Sequence, residues 1–346
     1  MKTVYSDEHR HQDGKAELID GKLLPCFEMP RRADLILARV NEVKLGEVVE
    51  PREFGLDPVK RVHKPNFVEF LRGAWDLWVK HHGAYDALPL NWAARGMRAI
   101  EPEAIDGKLG YYSFDAGTPI TAGTWRAITA SANVALTGQA MLAAGESVAF
   151  SLCRPPGHHA GSDFYGGYCF FNNAAVAAQA LIDGGARRVA VLDVDYHHGN
   201  GTQEIFYERD DVLTISIHAD PKQEYPYFLG HADETGAGRG KDFHMNLPLR
   251  WGSAWQAYEG ALKIAMKRLT DYGPEAVVVS LGVDTFEHDP ISKFKLRHED
   301  YLRIGQAIAK AAKPTLFVME GGYAVEALGV NAVNVLTGYE QGARRS

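Results

Sequence analysis

The stretch RVAVLDVDYHHGNG, residues 188–201, opens as an unbroken β-rich apolar run and closes on acids, histidines and glycines. Continuous apolar runs of this kind suit strands buried on both faces of a parallel sheet. Four further runs share the pattern: SVAFSLC (147–153), VLTISIH (212–218), AVVVSLGVD (276–284) and TLFVMEGG (315–322). Helical patterns lie between them. NNAAVAAQALIDGG (172–185) ends on glycine, SAWQAYEGALKIAMKRLTDYG (253–273) carries Ser253 as a cap candidate, and HEDYLRIGQAIAKAA (298–312) is a third. Alternating strands and helices predict one doubly wound parallel sheet. Upstream, residues 31–43 and 66–83 read as amphipathic helices. Residues 83–118 show no clear periodicity, and loops this long inside a compact chain are usually functional or mediate contacts. No linker divides the 346 residues, so a single domain is expected over 1–346.

A formal net charge of -7 disfavours a general nucleic-acid binder, which carries a basic stripe. Three cysteines, Cys26, Cys153 and Cys169, follow no disulfide framework and read as buried thiols in a reducing compartment. The first residues lack an apolar core and no apolar run reaches about 18 residues, so neither a signal peptide nor a membrane span is expected. The expected location is cytoplasmic.

The polar residues cluster where the strands end. His158 and His159 follow the first run, Asp193, Asp195 and His197 the second, Asp284 closes the fourth, and Tyr323 follows the fifth. Ligands of open parallel sheets bind outside the carboxyl ends of the strands. Taken singly, an Asp or His after a strand is more often a turn former or a cap; together these residues predict one site. Asp195 and His197 alternate around Tyr196 and share a side if the backbone is extended. With Asp284 they supply two carboxylates and an imidazole, leaving a tetrahedral zinc one position for water. Iron(II), cobalt or manganese suits the same donors.

The runs RPPGHHA, GGYCFFNNAAVAA, LDVDYHHGNGTQ, SIHADP, LGVDTFEHDP and MEGGY, in that order within residues 147–325, resemble the histone deacetylase superfamily. Within it, the chain looks like the bacterial acetylpolyamine amidohydrolases of the class II-like branch. VHKPNFVEFL (62–71) and PRRADLI (30–36) extend the likeness. The resemblance implies an arginase/deacetylase fold: α/β, single domain, with a central eight-stranded parallel sheet flanked by helices. It implies zinc on Asp195, His197 and Asp284. His159 matches the general base, His158 its electrostatic partner, and Tyr323 the hydrogen-bond donor to the oxyanion. Asp193 and Asn200 match the groups behind the two histidines; many relatives carry aspartate at position 200, and asparagine leaves His159 less basic. Two structural potassium ions are implied. One lies at Asp193, Ser216 and Ile217 with the backbone of Asp195 and His197. The other lies at Phe206, Arg209, Val212 and Phe243. Tyr168 and Tyr225 match aromatic walls of the substrate channel, and Gly167 a carbonyl that accepts the amide N–H. Ile291 and Gly321 complete the implied substrate contacts.

The implied reaction is hydrolysis of small cationic acetylated amines, with deacetylation of lysine side chains on proteins or peptides as the alternative. In the polyamine branch an insertion near 83–118 builds a homodimer interface that narrows the channel. Asp106 and Asp115 in this segment are candidates for attracting a distal ammonium. An arginase-type pair of manganese ions requires further acids, and Gly199 and Phe286 stand where those acids would be. A silent binding module should lack Tyr323 or a histidine, and all are present.

Overall fold

The computed structural model describes residues 1–344. Its strands are β1 (Lys2–Val4), β2 (Glu17–Ile19), β3 (Lys22–Leu24), β4 (Val48–Val49), β5 (Val148–Ser151), β6 (Val189–Asp193), β7 (Val212–Ala219), β8 (His244–Leu249), β9 (Ala276–Leu281) and β10 (Thr315–Met319). Among the described residues eight of them form one sheet in the order β4-β1-β5-β10-β9-β6-β7-β8, with every neighbouring pair parallel. The five strands read from the sequence are its five central members. The remaining three escape a periodicity search for physical reasons. β1 and β4 are too short to show a pattern, and β8 is an edge strand in which Met245, Leu247 and Leu249 alternate with His244, Asn246 and Pro248, so it lacks the continuous apolar run of the central strands. β2 and β3 form a separate antiparallel hairpin.

Successive strand residues feed opposite faces of the sheet. Leu192, Ile215, Val279 and Phe317 pack on one face, beneath the helices Trp255–Tyr272, His298–Ala309 and Val325–Ala343. Val191, Val189, Val278 and Val318 pack on the other with the helices Thr124–Ala143 and Asn173–Asp183. Burial on both faces is why these strands are apolar throughout. Among the described residues, no helix is long and apolar enough to cross a membrane.

Two local expectations change. The helix after residue 253 starts at Trp255 with Ala254 as its cap, and the Ser253 hydroxyl donates to the Arg250 carbonyl instead. The 83–118 segment is not irregular throughout. Its base is closed by paired backbone hydrogen bonds between Ala87 and Ile120, and it contains the helix Ile105–Tyr112. Leu109 and Tyr112 of that helix are buried, with the Tyr112 ring stacked 4.5 Å from Phe70. Leu90 and Met97, on the irregular part, stay exposed.

Candidate active site

The turn after β6 is built by its own carboxylates. The Asp195 N–H donates to Asp193 Oδ1 (3.0 Å), the His197 N–H to Asp195 Oδ1 (2.9 Å), and the Tyr196 N–H to Asp284 Oδ1 (2.8 Å). The Gly321 N–H, beyond β10, donates to Asp195 Oδ2 at 2.8 Å. Three of these backbone donors lock Asp195 and Asp284 toward His197, whose Nδ1 lies 3.0 Å from Asp284 Oδ2 and 3.5 Å from Asp195 Oδ1.

One ligand atom from each of Asp195, His197 and Asp284 falls within 4.8 Å of the others, and all three residues are buried. Burial, then repulsion from Asp195, raises the Asp284 carboxyl to about 7. Burial pushes the His197 imidazole down, but hydrogen bonds and charge from Asp195 and Asp284 outweigh it and lift the ring to about 10. Burial also opposes the charge on Asp195, yet His158 and His197 hold it below the usual carboxylate range. Two dry carboxylates facing one imidazole suit a bound cation, which would balance their negative charge. The O, O, N donor set suits zinc and also accepts iron(II) or cobalt.

His158, Cys169 and Glu320 also approach one another closely. Most of their polar atoms are engaged elsewhere, Glu320 Oε1 being a buried oxygen without a hydrogen-bond partner. His158 Nδ1 pairs with Asp193 Oδ2 (2.8 Å), Cys169 Sγ donates to the Gly167 carbonyl, and Glu320 Oε2 accepts the N–H groups of Gly157 and His158. This group braces the loop that carries the histidines. Position 199 cannot take a bridging acid, because a Cβ on Gly199 would meet Asp193 Oδ2 at 2.3 Å. His198 turns away from the metal triad to Gln203 Oε1 (3.1 Å).

The two histidines differ in state. Burial lowers His158, but the charges of Asp193 and Asp195 prevail and raise it to about 10. His159 rests on neutral Asn200, Nδ1 to Oδ1 2.6 Å. Burial, and then the positive charge of His158 and His197, push His159 well below the usual imidazole range. A neutral, proton-accepting ring therefore stands beside a charged one. Burial pushes the Tyr323 hydroxyl well above the usual phenol range, so it remains a donor.

A cavity of about 590 Å³ opens above these groups. Tyr168, Tyr225, Gly167, His159, His197, Tyr323 and Ile291 line it. The Tyr168 ring lies 5.5 Å from Tyr323, and the Tyr225 ring 5.2 Å from His159. Gly321 lies beneath, against Asp195 and Asp284. The two acidic candidates are corrected. Asp106 is outside the cavity of its own chain and pairs with His82 at 3.0 Å. Asp115 does line the cavity, but Tyr225, Gly167, Gly117 and Thr118 donate to its oxygens, so it is not a spare charge for an ammonium.

The implied potassium positions lie around β6 and β7. Asp193 and Ser216 are register neighbours on β6 and β7 and are buried together with Ile217. At the outer position the Phe206 carbonyl already accepts from the Arg209 N–H and lies 2.9 Å from His244 Nε2, and the Phe243 carbonyl accepts from the Thr214 N–H. The other two positions named there, Arg209 and Val212, bracket the start of β7.

Several residues had no assigned role. Buried Arg32 donates to the carbonyls of Gly322 and Glu320, both at 2.7 Å, and its guanidinium sits 4.7 Å over the Tyr323 ring. Glu28 bridges Arg32 and the buried Arg154. Asp289 Oδ2 accepts the Tyr323 N–H (2.7 Å) and Oδ1 the Ile291 N–H (3.1 Å), joining two walls of the site. The β2–β3 hairpin supplies Glu17, Leu18, Ile19, Asp20 and Leu24 to the cavity rim. Arginine on an apolar helix face was a visible signal; the hairpin, made of two three-residue strands, gave none.

The model of the histone deacetylase domain matches residues 26–339. Acetylpolyamine amidohydrolase 2 of Pseudomonas aeruginosa is 61% identical over 340 residues, 98% of this chain and 99% of that protein. The acetylpolyamine amidohydrolase of Mycoplana ramosa is 49% identical over 98% of this chain and 99% of its own. A crystal structure of acetylpolyamine aminohydrolase from Burkholderia pseudomallei superposes with a TM-score of 0.94 at 36% identity, covering 99% of each chain.

Proposed function

This chain belongs to the histone deacetylase domain family, and from that premise we propose that it is an acetylpolyamine amidohydrolase: water plus an acetylated polyamine or diamine gives acetate and the free amine. The observation that carries the substrate class is the charge of the cavity rim. Of the acids that line it, Asp20 and Glu224 stand at the mouth with Lys293, while Glu17 is buried and Asp115 is held by Tyr225, Gly167, Gly117 and Thr118. Such a rim concentrates cations at the mouth. The aromatic walls below suit a methylene chain.

The residues divide the work. Asp195, His197 and Asp284 would hold one zinc ion, which would supply Lewis-acid polarisation of the acetamide carbonyl and lower the pKa of water. Neutral His159 takes the proton of the attacking water at its free Nε2 and returns one to the leaving amine. The charged His158, fixed by Asp193, stabilises negative charge nearby. Tyr323 donates its O–H to the developing oxyanion. The Gly167 carbonyl accepts the substrate N–H, while Tyr168, Tyr225 and Ile291 flank the chain.

One potassium ion at Asp193, Ser216 and Ile217, with the backbone of Asp195 and His197, and a second at Phe206, Arg209, Val212 and Phe243 complete the proposed cofactors. The proposed organisation is a single deacetylase domain that forms a cytoplasmic homodimer through the 83–118 insert, whose exposed Leu90 and Met97 support that reading. Kinetics on acetylputrescine, acetylcadaverine and an acetyl-lysine peptide test the substrate class. The diamines should give the higher kcat/KM; a higher value for the peptide assigns the enzyme to protein lysines instead.

A further inference from the structure

Asp115, at the end of the insert, touches both walls of the substrate slot. Its Oδ2 accepts the Tyr225 hydroxyl at 2.8 Å and the Gly167 N–H at 2.5 Å. Its Oδ1 accepts the Gly117 N–H at 3.0 Å and the Thr118 hydroxyl at 3.1 Å. Thr118 Oγ1 in turn accepts the Tyr168 N–H at 2.9 Å. The consecutive N–H groups of Gly167 and Tyr168 are therefore both held by the insert.

That hold has work to do. Gly167 and Tyr168 have φ values of +55° and +67°, a left-handed backbone region that an aromatic residue such as Tyr168 enters only at an energetic cost. This left-handed turn presents the Tyr168 ring to Tyr323 and brings Gly167 against His159 and Tyr225. A Cβ on Gly167 would meet His159 Cδ2 at 2.3 Å and the Tyr225 hydroxyl at 2.9 Å. On the opposite wall, Phe114, the residue before Asp115, stacks on Tyr225 at 5.7 Å.

We propose that Asp115 is a positioning residue that sets the width of the slot in its own chain, by tying the Gly167–Tyr168 turn and the Tyr225 ring to one carboxylate oxygen. The insert then acts on substrate selection through contacts within its own chain. Linear chains pass between two walls at fixed separation, and chains with a branch do not. The proposal rests on the amidohydrolase reading above.

The test compares acetylcadaverine with N1-acetyl-2-methyl-1,5-diaminopentane, the same chain carrying one methyl branch. The wild-type protein, Asp115→Ala, Asp115→Asn and Tyr225→Phe are assayed, with melting temperatures as a folding control. Loss of the clamp should lower the linear-to-branched ratio of kcat/KM by about tenfold in Asp115→Ala, the worth of a methyl group in a tight apolar site. The loss should lie mainly in KM for the linear substrate, with kcat within about threefold, since uniform binding is what weakens. Tyr225→Phe keeps the ring and loses only the tie, so its ratio should fall in the same direction even if Asp115→Ala does not fold. Asp115→Asn keeps an acceptor and should recover part of the ratio. Unchanged ratios in Tyr225→Phe and in folded Asp115→Ala overturn the proposal, as does a uniform fall in kcat with the ratio intact. If the wild type rejects both diamines but cleaves an acetyl-lysine peptide, the substrate assignment alone fails. The ratio is then read on that peptide against one whose acetyl-lysine bears a methyl branch on its side chain, with the same two outcomes.

Discussion

His159 Nδ1 lies 2.6 Å from Asn200 Oδ1, whereas the neighbouring His158 Nδ1 lies 2.8 Å from the carboxylate of Asp193. Two adjacent imidazoles thus have a neutral and an anionic support, and their protonation states separate accordingly.

Asn200→Asp should erase part of that separation. A carboxylate behind His159 favours the imidazolium, so the pKa of the ring rises. The base must be neutral, and the acidic limb of the pH profile of kcat/KM should therefore move to higher pH, by about one unit for a buried charge at this distance. A profile that stays in place would remove His159 from the role of base.

Tyr323→Phe deletes one donor to the oxyanion and leaves the ring under Arg32. The expected fall in kcat is about 10²–10³-fold. Asp195, His197 and Asp284 are untouched, so zinc content by elemental analysis should equal that of the wild type. Near-normal turnover would assign the oxyanion to other donors.

Chelation should destabilise the protein in a pH-dependent way. Without a cation, Asp284 holds its proton in the folded state up to about 7, whereas an unfolded aspartate ionises near 3.9. Its contribution to the stability of the metal-free protein is full below about 3.9 and lost as the pH rises toward 7. Zinc replaces the proton as the counter-charge, and at roughly a thousandfold excess over Kd its linkage amounts to ~4 kcal/mol. The difference in Tm between zinc-loaded and chelated protein should grow from pH 5 to pH 8. A difference independent of pH would count against these carboxylates as the ligands.

Arg32 holds the Gly322 and Glu320 carbonyls and is paired with Glu28, all out of solvent. Arg32→Ala leaves Glu28 with one arginine and two carbonyls without their donor. Breaking a buried ion pair from one side costs about 3–5 kcal/mol, readable as a fall in the urea midpoint. Because the same loop carries Tyr323, kcat should fall alongside stability; a stable variant with normal kcat would make Arg32 a bystander.

How much of this was legible depends on what each residue does. Strands buried on both faces must be apolar, so the five central ones stood out, and each ends in polar residues because the site lies at that edge. The residues that hold those side chains in place were quieter. Asp289 and Glu320 sit inside quoted motifs, yet their task is to accept backbone N–H groups, which leaves no spacing signature. Asp115 resembled a free acid because its partners Gly167 and Tyr225 lie 52 and 110 residues away and meet it only in the fold. The β2–β3 hairpin is legible only by its place over the cavity.

Gly321 offers the sharpest test of how closely the ligand acids are fitted. Its N–H donates to Asp195 Oδ2, and its Cα faces both carboxylates with no room to spare. A Cβ there would lie 2.5 Å from Asp195 Oδ2 and 2.8 Å from Asp284 Oδ2, inside van der Waals contact with two carboxylates whose Oδ1 atoms each accept a backbone N–H. Neither carboxylate can retreat without giving up the hydrogen bond from His197 N–H or Tyr196 N–H. Gly321→Ala should therefore weaken zinc binding by at least about tenfold, the loss typical when the orientation of metal ligands is disturbed. Competition with a chelator of known affinity measures it directly. Unaltered affinity with normal turnover would mean that the EGGY loop moves as a unit, and that the Arg32 and Asp289 contacts do not fix it against the metal site.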